Sequence, residues 1–267
     1  VDTQRLNEEG RDIWDRKADF WDALHGDDGN QFHQMLVSPG VERLLALKPD
    51  ERVLDVACGN GTMARRLAML GGKVTAVDFS TALLAKARNR GQPVGIQIVY
   101  KVADATDEAA LVTLGEGNFD AVVCTMALMD MPVIRPFYQA ARRLLSPGGR
   151  LIIATSHPAF NSNNPVIFME RADQAGNLVT TWGVKIARYL DVPATKGAGA
   201  PNEPTPHYYY HRPLHELLGE AFAANLVLDG MEESAFVPKD TTLMGSSMWA
   251  NLPQIPPVFI ARLRPGA

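Results

Sequence analysis

Short apolar, β-branched runs alternate with amphipathic stretches through the middle of the chain. Arg52–Val56 is an apolar run that leads straight into Cys58-Gly59-Asn60-Gly61-Thr62, which predicts a buried strand ending in a glycine turn. Met63–Leu70 follows with helical spacing of Met63, Leu67 and Leu70, and Gly71-Gly72 closes it. Lys73–Val77 predicts a second strand, after which Ser80 caps a helix carrying Leu83, Leu84 and Ala87. The rhythm continues with strands at Ile96–Val102, Phe119–Thr125 and Arg150–Thr155. Helices are predicted over Asp107–Leu114 and Val133–Leu145, the latter stopped by Pro147-Gly148-Gly149. Strands with no polar face imply a mostly parallel sheet covered by helices on both sides.

Both ends break this rhythm without suggesting a second domain. Residues 1–50 read as a helical cap containing Trp14, Phe20, Trp21 and Phe32, and 51–156 as the repeating core. Residues 157–212 form an insertion rich in Asn, Pro and Gly that ends in His207-Tyr208-Tyr209-Tyr210-His211. Inside it, Val166–Asp173 and Leu178–Tyr189 flank Gly176-Asn177 and predict a hairpin. Residues 213–267 supply a helix at Leu214–Ala224 and strands at Leu226–Met231 and Val258–Leu263.

Composition narrows the function classes. The 267 residues carry 26 basic and 30 acidic side chains, a net charge of −4, so nothing advertises a phosphate backbone as partner. The longest apolar run, Ala121 to Met129, is far too short to span a bilayer. The first residues lack a basic-then-apolar leader pattern, and Cys58 and Cys124 have no metal-ligand spacing, which together set the expectation of a cytoplasmic protein with reduced thiols. Both cysteines read as small packing residues.

Gly59-Asn60-Gly61-Thr62-Met63-Ala64 fits a G-x-G-x-x-G/A turn, and Asp78 ends the next strand 19 residues after Gly59. Glycines let backbone approach a ligand, and a carboxylate in that place suits ribose hydroxyls. Asp55 bears on which ligand. A dinucleotide would bring a pyrophosphate to a turn with a carboxylate beneath it, whereas S-adenosylmethionine brings a positive sulfonium and ammonium. The charge argument favours the methyl donor over NAD(P).

Val53-Leu54-Asp55-Val56-Ala57-Cys58-Gly59-Asn60-Gly61 resembles the first motif of class I, Rossmann-like S-adenosylmethionine-dependent methyltransferases, and Val74–Asp78 resembles the second. Asp104-Ala105, Cys124-Thr125-Met126-Ala127-Leu128 and Leu145–Ile153 resemble the next three, in order and at family spacing. The resemblance implies an α/β fold with a seven-stranded sheet, mostly parallel, flanked by helices, its last strand antiparallel. It also implies roles. Ala57, Gly59 and Gly61 would line the methionine end with Asp55 below. Asp78 would hold the ribose, Phe79 pack on adenine, and Asp104 and the Ala105 N–H read its edge. Thr125 and Met126 would close the site by backbone contacts, and the preface of residues 1–50 would form a cap over the cofactor, with Trp14 or His33 near it. Many relatives have Gly where this chain has Ala57.

His157 follows the fifth strand at the edge where ligands of parallel sheets sit, and is the candidate for acceptor binding or proton removal. The expected reaction is methyl transfer to an O, N or C nucleophile of a small-molecule acceptor, giving S-adenosylhomocysteine, with no metal and with the insertion as acceptor lid. Three rivals remain open: a nucleotide-cofactor oxidoreductase, a non-catalytic binder of S-adenosylmethionine or its product, and an RNA or protein methyltransferase. Oligomeric state is open as well.

Overall fold

A computed structural model describes residues 2–91, 97–237 and 248–266. Its central strand is β1 (Arg52–Val56), paired in parallel with β2 (Lys73–Asp78) on one side and β4 (Phe119–Thr125) on the other. β3 (Val99–Val102) extends the sheet beyond β2 and β5 (Leu145–Ser156) beyond β4, again in parallel. The antiparallel strand β11 (Val258–Pro265) then pairs with β5 and with the edge strand β10 (Leu226–Ser234), giving the order β10-β11-β5-β4-β1-β2-β3. The sheet therefore has the seven strands and the single antiparallel member expected of the class I methyltransferase fold. Of the expected third strand, Ile96 lies outside the described residues.

Alternation along the buried strands sets the two faces. Leu54 and Val56 join Val122, Cys124, Phe137 and Tyr138 in one cluster, packed beneath α7 (Arg135–Leu144) and α8 (Leu214–Ala223). Val53 turns the other way and joins Val74, Ala121 and Val123 under α3 (Ser38–Leu45) and α4 (Thr62–Met69). α5 (Thr81–Asn89) starts where expected, the Ser80 hydroxyl accepting from Leu83 N at 3.1 Å. α6 (Glu108–Val112) is capped in the same way by Asp107. Pro147-Gly148-Gly149 does not separate α7 from the sheet as a free turn. β5 already pairs at Leu145 and bulges through these residues, with register passing from Phe119↔Leu145 to Ala121↔Arg150.

The cap consists of α1 (Thr3–Arg16), α2 (Ala18–His25), a π-helical turn over His33–Val37, and α3. Within 157–212 the hairpin is present as β6 (Val166–Gln174) and β7 (Asn177–Lys185), shorter than expected at its far end. Its turn is Ala175-Gly176, both with positive φ, and not Gly176-Asn177, because Asn177 is already paired with Gln174. A second small pair, β8 (Thr195–Gly197) with β9 (His207–Tyr209), brings the aromatic end of the insertion against α1. Among the described residues no helix is long and apolar enough to cross a membrane.

Candidate active site

The strand order reverses between β1 and β4, so the loops leaving these strands part and open a crevice. A cavity lies there, with about 990 Å³ of non-atom space when its open mouth is counted. Ala57–Asn60, Asp78-Phe79 and Ala103–Thr106 line one end. Thr125–Ala127, Asp130 and Met131 line the other, and Trp14, Trp21, His25 and His33 come down from the cap.

The glycine turn owes its shape to residues in the left-handed region. Gly59 has φ +56°, and nothing lies within 4 Å of where a Cβ would stand, so its backbone faces open space. Gly61, at φ +78°, is needed for packing instead: a Cβ there would come within 2.6 Å of the Tyr100 hydroxyl. That corrects one expectation, since Gly61 does not line the cavity but lets α4 start close to β3. Ala57 also has a positive φ, +57°, where glycine would be unstrained, and it does line the cavity.

Asp78 closes β2 with its carboxylate against the turn. Oδ2 accepts from Gly59 N at 2.8 Å and Oδ1 from Ser80 N at 2.8 Å, leaving lone pairs toward the cavity. Burial pushes this carboxyl up to about 6, the two backbone N–H groups opposing the rise. Asp104 also lines the cavity. Its Oδ1 accepts from Thr106 N and Oγ1, and its Oδ2 from the Asn7 amide of the cap at 2.5 Å. Phe79, Ala105, Thr125, Met126 and Trp14 line it as well.

Asp55 does not. It shares its face with Val53, so the side chain runs sideways beneath α4 instead of out of the strand end. It is wholly buried, and neither oxygen has a hydrogen-bond partner. Burial, then the charge of Asp78, lifts its carboxyl to about 8; the Ala64 amide is near enough to offset part of this but too poorly placed to bond. The expected charge contact with a sulfonium is therefore corrected: the Asp55 carboxyl is buried beneath α4 and does not line the cavity.

His157 is corrected too. Its Nδ1 accepts from Ala159 N at 3.1 Å and its Nε2 lies 2.7 Å from Glu233, so both ring nitrogens are used, and the residue lies outside the cavity lining. Burial lowers its basicity further, with Glu233 opposing. Its place at the end of β5 holds the turn that follows.

The sequence reading missed Asp130, although it is the lone charge in the apolar stretch Ala121–Ile134, a signal that could have marked it. His33, expected near the cofactor, lines the cavity, whereas His25 carried no signal, because it arrives from the cap. Burial holds the His33 imidazole at about 3 and lowers His25 from its ordinary range. Behind Asp130, Lys17, Glu203 and His207 are buried together: Lys17 Nζ lies 2.7 Å from Glu203 and 2.6 Å from His207 Nδ1, and His207 Nε2 lies 3.7 Å from Asp130 Oδ1.

Residues 54–153 match the family model described as a methyltransferase domain. They are a methyltransferase domain. This methyltransferase domain is also the part that finds curated relatives. A ubiquinone biosynthesis O-methyltransferase of Xanthomonas oryzae pv. oryzae is 41% identical over 104 residues, 39% of this chain and 42% of that protein. One from Xanthomonas campestris pv. campestris is 35% identical over 139 residues, 51% and 55% of the two chains. The match thus spans about half the length of these relatives and stops short of their remainder. Solved structures extend the likeness of fold to most of the chain. An S-adenosylmethionine dependent methyltransferase from Mesorhizobium loti superposes with TM-score 0.61 at 23% identity, over 85% of this chain and 96% of that one. A structure described as a DhpI-SAM-HEP complex gives 0.62 at 17%, over 97% and 98%.

Proposed function

We propose that this protein transfers the methyl group of S-adenosylmethionine to a hydroxyl of a small organic acceptor. The observation that carries the reading is the pairing of Asp78 with the open Gly59 turn inside a methyltransferase domain. A carboxylate with free lone pairs stands at the strand end where a ribose would lie, beside a glycine turn whose backbone faces open space. The fit extends along the cavity. Ala57 and Gly59 would take the methionine end, Phe79 the adenine face, Asp104 and Ala105 its edge, and Thr125 and Met126 the closing backbone, with Trp14 above.

Bound S-adenosylmethionine supplies an already activated methyl group. The chain's work is then alignment and exclusion of water. The cap and the 195–212 part of the insertion would do the excluding, since the two are joined: Lys17 meets Glu203 at 2.7 Å, and Glu9 of α1 meets Lys196 at 2.5 Å and Tyr208 at 3.1 Å. Hydroxyl acceptors are favoured by the O-methyltransferase relatives, and small ones by a cavity over which the cap's Trp14, Trp21, His25 and His33 stand. Two buried, unpaired cysteines suit a reducing cytoplasm.

Calorimetry with S-adenosylhomocysteine tests the reading. Wild type binds it and does not bind NAD, and Asp78→Ala loses on the order of 2–4 kcal/mol with two charge-assisted hydrogen bonds gone. Wild-type affinity in that variant, or preference for NAD, overturns the assignment. Transfer of a labelled methyl group to a fractionated metabolite extract separates an enzyme from a sensor that binds without turnover.

A further inference from the structure

Three carboxylates line the cavity, and two are engaged. Asp78 holds the Gly59 and Ser80 amides, and Asp104 holds Thr106 and Asn7. Asp130 is the exception: no hydrogen bond reaches its carboxylate among the described residues, and its buried Oδ1 has only the longer contact with His207 Nε2 at 3.7 Å. A buried, unpartnered carboxylate is costly unless a ligand supplies the missing donor.

The surroundings hold that group in place. Arg212 donates to the carbonyls of Leu128 and Met131 at 3.0 and 2.6 Å, and Tyr210 N donates to Met129 O at 2.7 Å, clamping the short helix Leu128–Asp130 and the residue after it. His207 Nε2 lies 3.7 Å from Asp130 Oδ1, and its Nδ1 is fixed by Lys17 and Glu203. Trp14 and Trp21 stand edge to face at 5.0 Å and, with Met131, give this end flat apolar walls. Lys17 Nζ sits 3.5 Å from the Trp14 ring centroid, so a cation already occupies that place. A neutral, flat acceptor with one weakly acidic hydrogen fits what is left.

Resting on the methyl-transfer reading above, we propose that Asp130 binds the hydroxyl of a planar acceptor and takes its proton, with His207 as the residue that positions it. The acceptor oxygen forms its bond to the methyl carbon as the carbon–sulfur bond breaks and its electron pair passes to sulfur. The hydroxyl proton moves to Asp130. A sulfonium and a carboxylate become a neutral thioether and a neutral acid, so the reaction removes two opposite charges from the cavity. Burial brings the Asp130 carboxyl up to about 6, with His207 and Lys17 pulling it down and Glu203 pushing it up, which keeps the ionised form available at neutral pH.

2-Naphthol is a suitable probe, because it is flat, carries a single hydroxyl that stays neutral near pH 7, and reports its own ionisation by fluorescence. Wild type loaded with S-adenosylhomocysteine binds it, and with S-adenosylmethionine converts it to the methyl ether, read by mass spectrometry. Asp130→Asn keeps its affinity for S-adenosylhomocysteine within about twofold while kcat on the probe falls roughly 10²–10⁴-fold. The acid limb of kcat/KM near pH 6 disappears in Asp130→Asn and moves to higher pH in His207→Gln, as expected when a group that lowers the Asp130 pKa is removed. Unchanged kcat in Asp130→Asn overturns the proposal, as does a product-loaded wild type that ignores the probe. Failure to bind S-adenosylhomocysteine at all would overturn the methyl-transfer reading first, and this proposal with it.

Discussion

Asp55 and Asp78 stand at neighbouring strand ends and differ because of the direction of one bond. Asp78 is the last residue of β2 and turns its carboxylate onto the glycine turn, whereas Asp55 is the penultimate residue of β1 and points under α4. Asp55→Asn should therefore alter the affinities for S-adenosylmethionine and S-adenosylhomocysteine by the same small factor in calorimetry. A loss confined to the sulfonium form would restore a charge contact. The same variant should change the pH dependence of folding. A carboxyl raised from its ordinary value of 3.8 to about 8 contributes stability that is present below about pH 4 and lost as pH rises to 8. Wild type should lose up to about 1.4 kcal/mol per pH unit relative to Asp55→Asn across that window in urea titrations.

At the scale of elements, the insertion divides into two parts with different work. Residues 169–178, the outer half of the β6–β7 hairpin, are all exposed, and no residue of the hairpin lines the cavity. The β8–β9 pair and the residues up to Arg212 instead contact α1 and the helix over Leu128–Asp130. Val166 and Lys185 are paired, so a short Gly-Ser link can replace everything between them. Deleting the hairpin in this way should leave S-adenosylhomocysteine affinity within about twofold and the thermal midpoint nearly unchanged. A collapse of both would mean that the hairpin braces the cap.

Across the whole molecule, one buried ion pair joins segments 186 residues apart. Lys17 and Glu203 both have fully buried side chains, and their bond ties the cap to the insertion over the cavity. Burial alone would raise the Glu203 carboxyl, but hydrogen bonds from His207 and Lys17 outweigh it and bring it down to about 2. Its contribution is thus present above the ordinary carboxylate value and lost as pH falls toward 2. Glu203→Gln leaves Lys17 buried without a counter-charge and should cost roughly 3–5 kcal/mol, while Lys17→Met with Glu203→Leu should recover much of that in urea denaturation. Equal losses in single and double variants would show that packing, not charge, holds the closure.

Local chemistry was readable along the chain. Apolar runs, the Gly59–Gly61 turn, the Ser80 cap and the acid at Asp78 specify the strand, turn and helix start from neighbouring residues alone, so the core of the site lay in about fifty consecutive positions. Tertiary structure decided what depends on direction and distance. The β1 pleat turned Asp55 away from the cavity, and the Glu233 carboxylate on β10 took up the His157 ring. Closure of the cap and insertion from opposite ends of the chain assembled Lys17, Asp130, Glu203 and His207 into one buried group. No periodicity links those four positions. Only the cost of burying charge without a partner, met when the two segments close together, brings them into contact.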